Sequence, residues 1–497
     1  MRTRNGHRSW VVSTLLGTAL LAPPAAAEDL GSILEVLEES VVTGASHSAE
    51  RARDAPAMSS VITAEQLRTF GIRHLDEAIN FLSLGMFAQD RMSTEEVGAR
   101  GVALTRDMNS HVLIVLDGVV MNEQAGGAAF LHDVPLEVVD HIEVILGPGS
   151  VLYGSNAMLG VINVVTKSAR DEGSVGGSVS LGASPPLSSS GAIRSPTLDN
   201  MGRDHRFSLN AMQPFTLAGL RGRVLAAVDY EDFQGPEFSF PKQRLAPGSN
   251  LELGPHAEPG YWGGPVREQW FQRTHGAYVR AELGNWRLAT RASVSRWAAP
   301  QLVLYENRGG AYDDPANYNA STLLLSSLTY DDRLSERTLL ATKLYFGYSR
   351  NLRSRFVLGH DALVPGVPVG VLDPEQCPLG PTGPCRQEAW RLSRWLGLET
   401  RVTYDWFGDG AFATLIGADG RLRTAAYEFV SFDANSGKSF GSDPAQTRWH
   451  AGGHRKADEY ALGTYVQQSV KPWKYMALNT GVRADFDSRV EPEDRLN

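Results

Sequence analysis

Trp286-Arg287-Leu288-Ala289-Thr290-Arg291-Ala292-Ser293-Val294-Ser295-Arg296 changes character at nearly every step. Trp286, Leu288, Thr290, Ala292 and Val294 hold the even positions, and Arg287, Arg291, Ser293 and Ser295 the odd ones. Successive side chains of a strand point to opposite faces, so this stretch predicts a strand with one apolar and one polar face. Leu340 to Ser349 repeats the rhythm, with Leu340, Thr342, Leu344, Phe346 and Tyr348 opposed to Lys343, Tyr345, Gly347 and Ser349. Met476 to Asp487 does so again, with Leu478, Val482 and Phe486 opposed to Asn479, Arg483 and Asp485. A sandwich strand alternates too, but runs to only about five or six residues.

The turns separate the two architectures. Gly284-Asn285 and Gly408-Asp409-Gly410 are tight. Phe233 to Gln269, Asn351 to Arg386 and Val430 to Lys456 are long excursions rich in Gly and Pro. Short turns on one rim and long loops on the other predict an antiparallel transmembrane barrel, with oily residues toward lipid and polar ones toward a wet lumen. Roughly eleven such strands fit before Phe486, within the 8 to 26 such barrels use. The odd number and the polar ending at Arg495-Leu496-Asn497 suggest a partial barrel, because unpaired strand edges are not tolerated in hydrocarbon.

Composition agrees with this reading. The 497 residues are 42% hydrophobic and 21% charged, and past the N-terminus no apolar run reaches the length of a membrane helix. A net charge of −9 speaks against a nucleic-acid partner, which calls for a basic face. Arg2, Arg4 and Arg8, the apolar core Trp10 to Ala22, and Ala25-Ala26-Ala27 form a signal-peptide pattern, so residues 1–27 are expected to be removed on export. Export places Cys377 and Cys385 in an oxidising space, where they are expected to close a loop disulfide. Neither their spacing nor nearby His residues suit a metal, and Asp313, Asp314 and Asn317 read as turn chemistry. No cofactor is expected. The twelve histidines form no convergent catalytic constellation, so an enzyme is not expected.

Residues 28–57 read as a short acidic helix followed by a polar linker, with the β-prone Val41-Val42-Thr43-Gly44 between them. Residues 58–170 read as a compact α+β domain preceding a barrel over 171–497. Within it, Met58 to Ile62 reads as a strand, Thr63 and Gln66 as a capping box, and Leu75, Ala78, Ile79 and Leu82 as one helical face. Strands are expected at 111–116, 141–146 and 161–166. Gly149 and Gly154 lack the Lys that a phosphate-binding loop places after its second Gly.

The run His141-Ile-Glu-Val-Ile-Leu-Gly-Pro-Gly-Ser-Val-Leu-Tyr-Gly-Ser-Asn-Ala-Met-Leu-Gly-Val-Ile-Asn-Val-Val-Thr-Lys167 resembles the closing segment of the plug domain of TonB-dependent receptors. Val61-Ile62-Thr63-Ala64-Glu65, Ala99-Arg100-Gly101-Val102 and Val115-Leu116-Asp117-Gly118 match earlier landmarks of that domain in order. Gly463-Thr-Tyr-Val-Gln467 and Gly481-Val-Arg-Ala-Asp485 extend a weaker likeness into the barrel. The resemblance implies an α+β plug inside an antiparallel transmembrane β-barrel, in a Gram-negative outer membrane. It further implies active import of a ligand of the ferric-siderophore type. Cobalamin, haem and glycan receptors are alternatives within the family, and a passive porin is an alternative outside it.

Glu38-Glu39-Ser40-Val41-Val42-Thr43-Gly44 resembles a TonB box, which places Glu39, Ser40, Val41, Val42 and Thr43 against TonB and its ExbB/ExbD complex. Arg100 matches a plug arginine that locks to the wall, with Glu399 as its candidate partner. His141 and Leu146 depart from the family, standing where it commonly has arginines. Expected ligand contacts are Asp90, Arg91, Asn122, Gln124 and Phe130 on the plug, and Tyr261 and Trp262 in a long loop. Aromatic and arginine groups of that kind suit a flat acidic chelate.

Overall fold

The computed structural model describes residues 41–42, 50–51, 58–90, 95–104, 108–124, 126–147, 156–168, 173–184, 202–235, 238–244, 261–266, 271–298, 317–358, 384–433, 455–473 and 476–488. The signal-peptide expectation for residues 1–27 lies outside them. So do Glu39, Ser40, Thr43, Arg91 and Cys377.

Two short strands come first, β1 (Val41–Val42) and β2 (Glu50–Arg51), paired antiparallel. The plug begins at β3 (Met58–Thr63), where the expected capping box forms. Thr63 Oγ1 accepts from the Gln66 amide at 3.2 Å, and the Gln66 side chain accepts from the Thr63 amide at 2.9 Å. Each bond satisfies a donor that the first turn of helix α1 (Ala64–Thr69) leaves open. Helix α2 (Leu75–Leu82) buries Leu75, Ala78 and Ile79, the face its spacing predicts. Then come β4 (Met86–Asp90), β5 (Glu95–Ala99), β6 (Val112–Leu116), β7 (Val119–Val120), β8 (Val139–Leu146) and β9 (Gly160–Thr166).

The plug sheet runs β3-β8-β9-β6-β7, with β6 and β9 parallel. All five residues of β6 are buried, as befits a central strand covered on both faces. Between β6 and β7, Asp117 and Gly118 have φ of 47° and 79°. That two-residue turn requires positive φ at both positions, which is why an Asp-Gly pair stands there.

The second sheet has eleven strands: β10 (Ser174–Ser184), β11 (Gly202–Leu217), β12 (Leu220–Gln234), β15 (Phe271–Leu283), β16 (Trp286–Ala298), β17 (Tyr318–Ser335), β18 (Thr338–Leu358), β19 (Pro384–Asp405), β20 (Phe412–Asp433), β21 (Arg455–Trp473) and β22 (Met476–Asp487). Each is antiparallel to its neighbour in chain order. A hairpin, β13 (Phe238–Arg244) with β14 (Tyr261–Val266), rises from the connection between β12 and β15. It was not expected from the sequence. The long excursions are also shorter than the sequence reading had them, since β18 runs on to Leu358 and β19 starts at Pro384.

The two faces of the sheet are as the alternation predicts. On β16, Leu288 and Val294 are 42% and 52% exposed on the outside, while Arg291 and Ser295 are 1% and 0% exposed on the plug side. Aromatic pairs mark the short-turn rim, Trp286 with Tyr330 at 4.8 Å and Tyr404 with Trp406 at 5.1 Å between ring centroids. On the opposite side, Arg350 stacks on Trp390 at 3.9 Å and Arg394 lies 5.8 Å from the Tyr348 ring. Amphipathic rings at two levels are the interfacial girdles of a barrel in lipid. The main hydrophobic cluster joins plug and wall, running from Ile62, Ile114 and Ile162 to Leu323, Leu325 and Trp395.

Candidate functional site

The plug meets the wall through a series of polar clasps on the inward positions of the strands. The first grips the Asp117-Gly118 turn. Tyr278 of β15 donates to Asp117 Oδ2 at 2.6 Å, and the Thr166 hydroxyl donates to the same oxygen at 2.8 Å. Arg280, two residues along the same face, donates to the Thr166 carbonyl and hydroxyl, both at 3.0 Å, and to Ser168 at 3.1 Å. Its guanidinium lies 3.7 Å from Asp117 and 2.6 Å from Glu282. Lys343 of β18 donates to the Gly118 carbonyl.

The second clasp holds the 3-10 turn Leu131–Asp133. Asp133, 2% exposed, accepts from Ser293 at 2.9 Å and Ser295 at 3.0 Å, both on β16. From the same strand Arg291 donates to the Asp133 carbonyl at 3.2 Å and forks onto Asp229 of β12. Gly276 of β15 makes room for this pair, since a Cβ there would run into both side chains. Beside it Trp297 packs on Phe130 and His132, with centroids at 4.8 and 4.6 Å.

The third clasp lies on β11 and β12. Arg206 donates to Glu137 and to the Arg73 carbonyl, and His74 pairs with Glu231 at 2.9 Å. Burial lowers the His74 pKa, but the hydrogen bond and charge of Glu231 outweigh it and hold the imidazole above its ordinary value. This contribution is therefore complete below about pH 6.5, the ordinary histidine value, and is lost as pH rises through the elevated one. His132 behaves oppositely, its pKa lowered chiefly by burial, so strong acidification works against the plug there. Amide exchange along α2 is expected to quicken between pH 6 and pH 9, and His74→Gln to flatten that dependence. Equal pH profiles for the two proteins would remove His74 from the clasp.

Residues 51–161 match the model of the TonB-dependent receptor plug domain. Residues 51–161 are thus a plug domain of the TonB-dependent receptor type. A vitamin B12 transporter, BtuB, of Vibrio vulnificus is 46% identical over 96 residues, which are 18% of this chain and 15% of that protein. The ferripyoverdine receptor of the Pseudomonas aeruginosa outer membrane superposes with a TM-score of 0.56 at 14% identity, covering 90% of this chain and 54% of its own. The unliganded ferric citrate transporter FecA superposes with a TM-score of 0.58 at 16% identity, covering 88% and 57%. The chain thus spans about half the length of those solved structures, and the likeness to them is one of fold.

The two residues expected to form a lock have other neighbours. Glu399 pairs with Lys343 at 2.8 Å and Arg401 at 3.5 Å, while Arg100 is exposed, has φ of 55° and reaches toward Gly147. No ion pair joins Arg100 to Glu399 among the described residues. Leu146, at the position where an arginine is common, is 3% exposed and packs beneath Gly85. An apolar side chain there serves the plug core, and the described polar contacts between plug and wall run instead through Asp117, Asp133, His74 and Glu137.

Asn122, expected at the ligand face, is 1% exposed and its amide is spent on backbone. It accepts from the Ile114 amide at 2.9 Å and donates to the carbonyls of Asn109, Val112 and Gly127. Gln124 meets the wall, its backbone N–H donating to the Ser393 hydroxyl at 3.2 Å. Phe130 faces Trp297. Tyr261 and Trp262 lie on β14, and Asp90 ends β4. Cys385 lies on β19, opposite Val357 and Asp433.

The arginines that clasp the plug were not singled out from the sequence. A usable signal was present: Arg291 stands on a face where Ser293 and Ser295 follow, and a charge on a lumen face beside small hydroxyls calls for a partner.

Proposed function

We propose that the chain is a TonB-dependent receptor that imports a ligand of the ferric-siderophore type across the outer membrane, energised by TonB with its ExbB/ExbD complex. The observation that carries the reading is a separately folded plug held inside a barrel wall by replaceable polar contacts, preceded by a strand, Val41–Val42, of the kind a TonB partner would pair. Strand addition uses backbone bonds, so the segment Glu39 to Thr43 would serve as the handle. Capture from outside falls to Asp90, Arg91 and Gln124 of the plug and to Tyr261 and Trp262 of the hairpin. The solved ferripyoverdine receptor and ferric citrate transporter share the fold and so support this choice. Cobalamin is the second reading, favoured by the 46% identity with a vitamin B12 transporter over 96 residues.

Val42→Pro removes a backbone donor and so is expected to abolish energised uptake while leaving ligand binding at the cell surface unchanged. Uptake is measured with radiolabelled ferric chelates and with cobalamin, in cells with and without the proton gradient. Normal uptake by the Val42→Pro protein would defeat the TonB assignment, and uptake of cobalamin alone would replace the first ligand by the second.

A further inference from the structure

Behind the Asp117-Gly118 turn lies a cavity of about 330 Å³, between the plug edge and the short-turn half of the wall. Its wall is densely charged. Arg280, Arg287, Lys343, Arg401, Arg421 and Arg483 line it, against the acids Asp117, Glu399 and Asp419. Each acid is already taken. Asp117 serves Tyr278, Thr166 and Arg280; Glu399 pairs with Lys343 and Arg401; Asp419 pairs with Arg483 at 2.8 Å. Arg287 reaches Asp331 at 3.2 Å, Arg280 also pairs with Glu282 at 2.6 Å and Arg483 with Asp485 at 2.7 Å, so five of the six cations are matched.

Arg421 is left over. It sits on the lumen face of β20 opposite Gly397 of β19, and its Nε is buried without a hydrogen-bond partner among the described residues. A buried guanidinium nitrogen without a partner costs free energy that an incoming acceptor would recover. Arginine forks favour planar or tetrahedral oxyanions over halides, because two N–H groups bind two oxygens at once.

From these observations the geometry points to an oxyanion-binding station in this cavity, taking a carboxylate or phosphate group with Arg421 as its principal donor. At the small end of the roughly 300–1,000 Å³ typical of ligand pockets, the cavity suits an anionic arm or a small polyacid rather than a whole metal chelate. Its place deepens the import reading and rests on it. A ligand released past the plug would meet this station on the short-turn side, after capture at the other end.

The test uses the purified receptor in detergent, without TonB, so that its outcome is separate from that of the uptake experiment. Citrate and inorganic phosphate are titrated calorimetrically at low ionic strength into the unaltered protein, Arg421→Gln and Arg421→Lys. The expected result is saturable binding of at least one anion, weakened tenfold or more by Arg421→Gln and less by Arg421→Lys. Preference for citrate would assign the station to carboxylates, and preference for phosphate to phosphate-bearing ligands. As a check independent of folding in the variants, citrate should shield Arg421 of the unaltered protein from an arginine-selective dicarbonyl, read by peptide mass spectrometry. No saturable binding of either anion, or equal affinity in Arg421→Gln with Arg421 labelled at the same rate in citrate, would overturn the assignment.

Discussion

Gly347→Val is expected to leave little folded barrel, seen as loss of the heat-modifiable band on gel electrophoresis and of the cooperative urea transition. Gly347 of β18 stands opposite Trp395 of β19, whose indole is 1% exposed and lies across the glycine. A Cβ at Gly347 would fall inside the indole ring, so the ring must leave or the strands must part. Overpacking of this kind costs about 1–3 kcal/mol and more where nothing can move, and displacing the indole would sacrifice a contact between wall and plug. Gly397 under Tyr345 and Gly417 under Tyr465 repeat the arrangement. Gly420→Ala is the control, because its Cβ would meet only the tip of outward-facing Leu462, at 3.2 Å. If Gly347→Val and Gly420→Ala unfold at the same urea concentration, the aromatic-over-glycine contact does not support the wall.

Arg291→Ala carries the second large effect. It strips Asp229 of its cation and removes the donor to the Asp133 carbonyl, leaving a carboxylate largely buried against the plug. Breaking a buried pair from one side typically costs about 3–5 kcal/mol, whereas replacing both partners with apolar groups is often nearly neutral. Arg291→Ala is therefore expected to loosen the plug, admitting bulky antibiotics and raising single-channel conductance, and to lower the thermal midpoint. Arg291→Met combined with Asp229→Leu should recover most of the midpoint but not the seal, since the bond to Asp133 stays lost. Were the double variant no more stable than Arg291→Ala, the cost would come from lost plug contacts and not from a stranded charge.

Much of the wall was legible because lipid imposes a two-residue rhythm on whatever sequence faces it. Leu340, Thr342, Leu344, Phe346 and Tyr348 on β18 show that rhythm, and the strand was read correctly that far. The pairing goes on to Leu358, but the next outward position past Tyr348 is Arg350, so the pattern that betrays a strand stops before the strand does. The plug was legible where local chemistry decides, as at the Thr63 capping box. The β4–β5 hairpin, with Glu95, Glu96 and Gly98 in one strand, carries no such signature. The clasps were hardest to foresee. Arg280 and Ser295 meet partners 112 to 162 residues away in sequence, and only the folded register shows which lumen residue faces which turn.

The length of the central strands has a consequence for what may approach from outside. At 22 residues, β19 and β20 extend roughly 70 Å along the chain at about 3.3 Å per residue. Tilted as barrel strands are, they rise to about 50 Å, some twice the roughly 25 Å apolar band. The excess stands on the side away from the tight turns, as a rigid chimney of hydrogen-bonded backbone. The plug meets this wall well below that rim, as at Gln124 with Ser393, so whatever approaches along these strands touches paired backbone before it touches the plug.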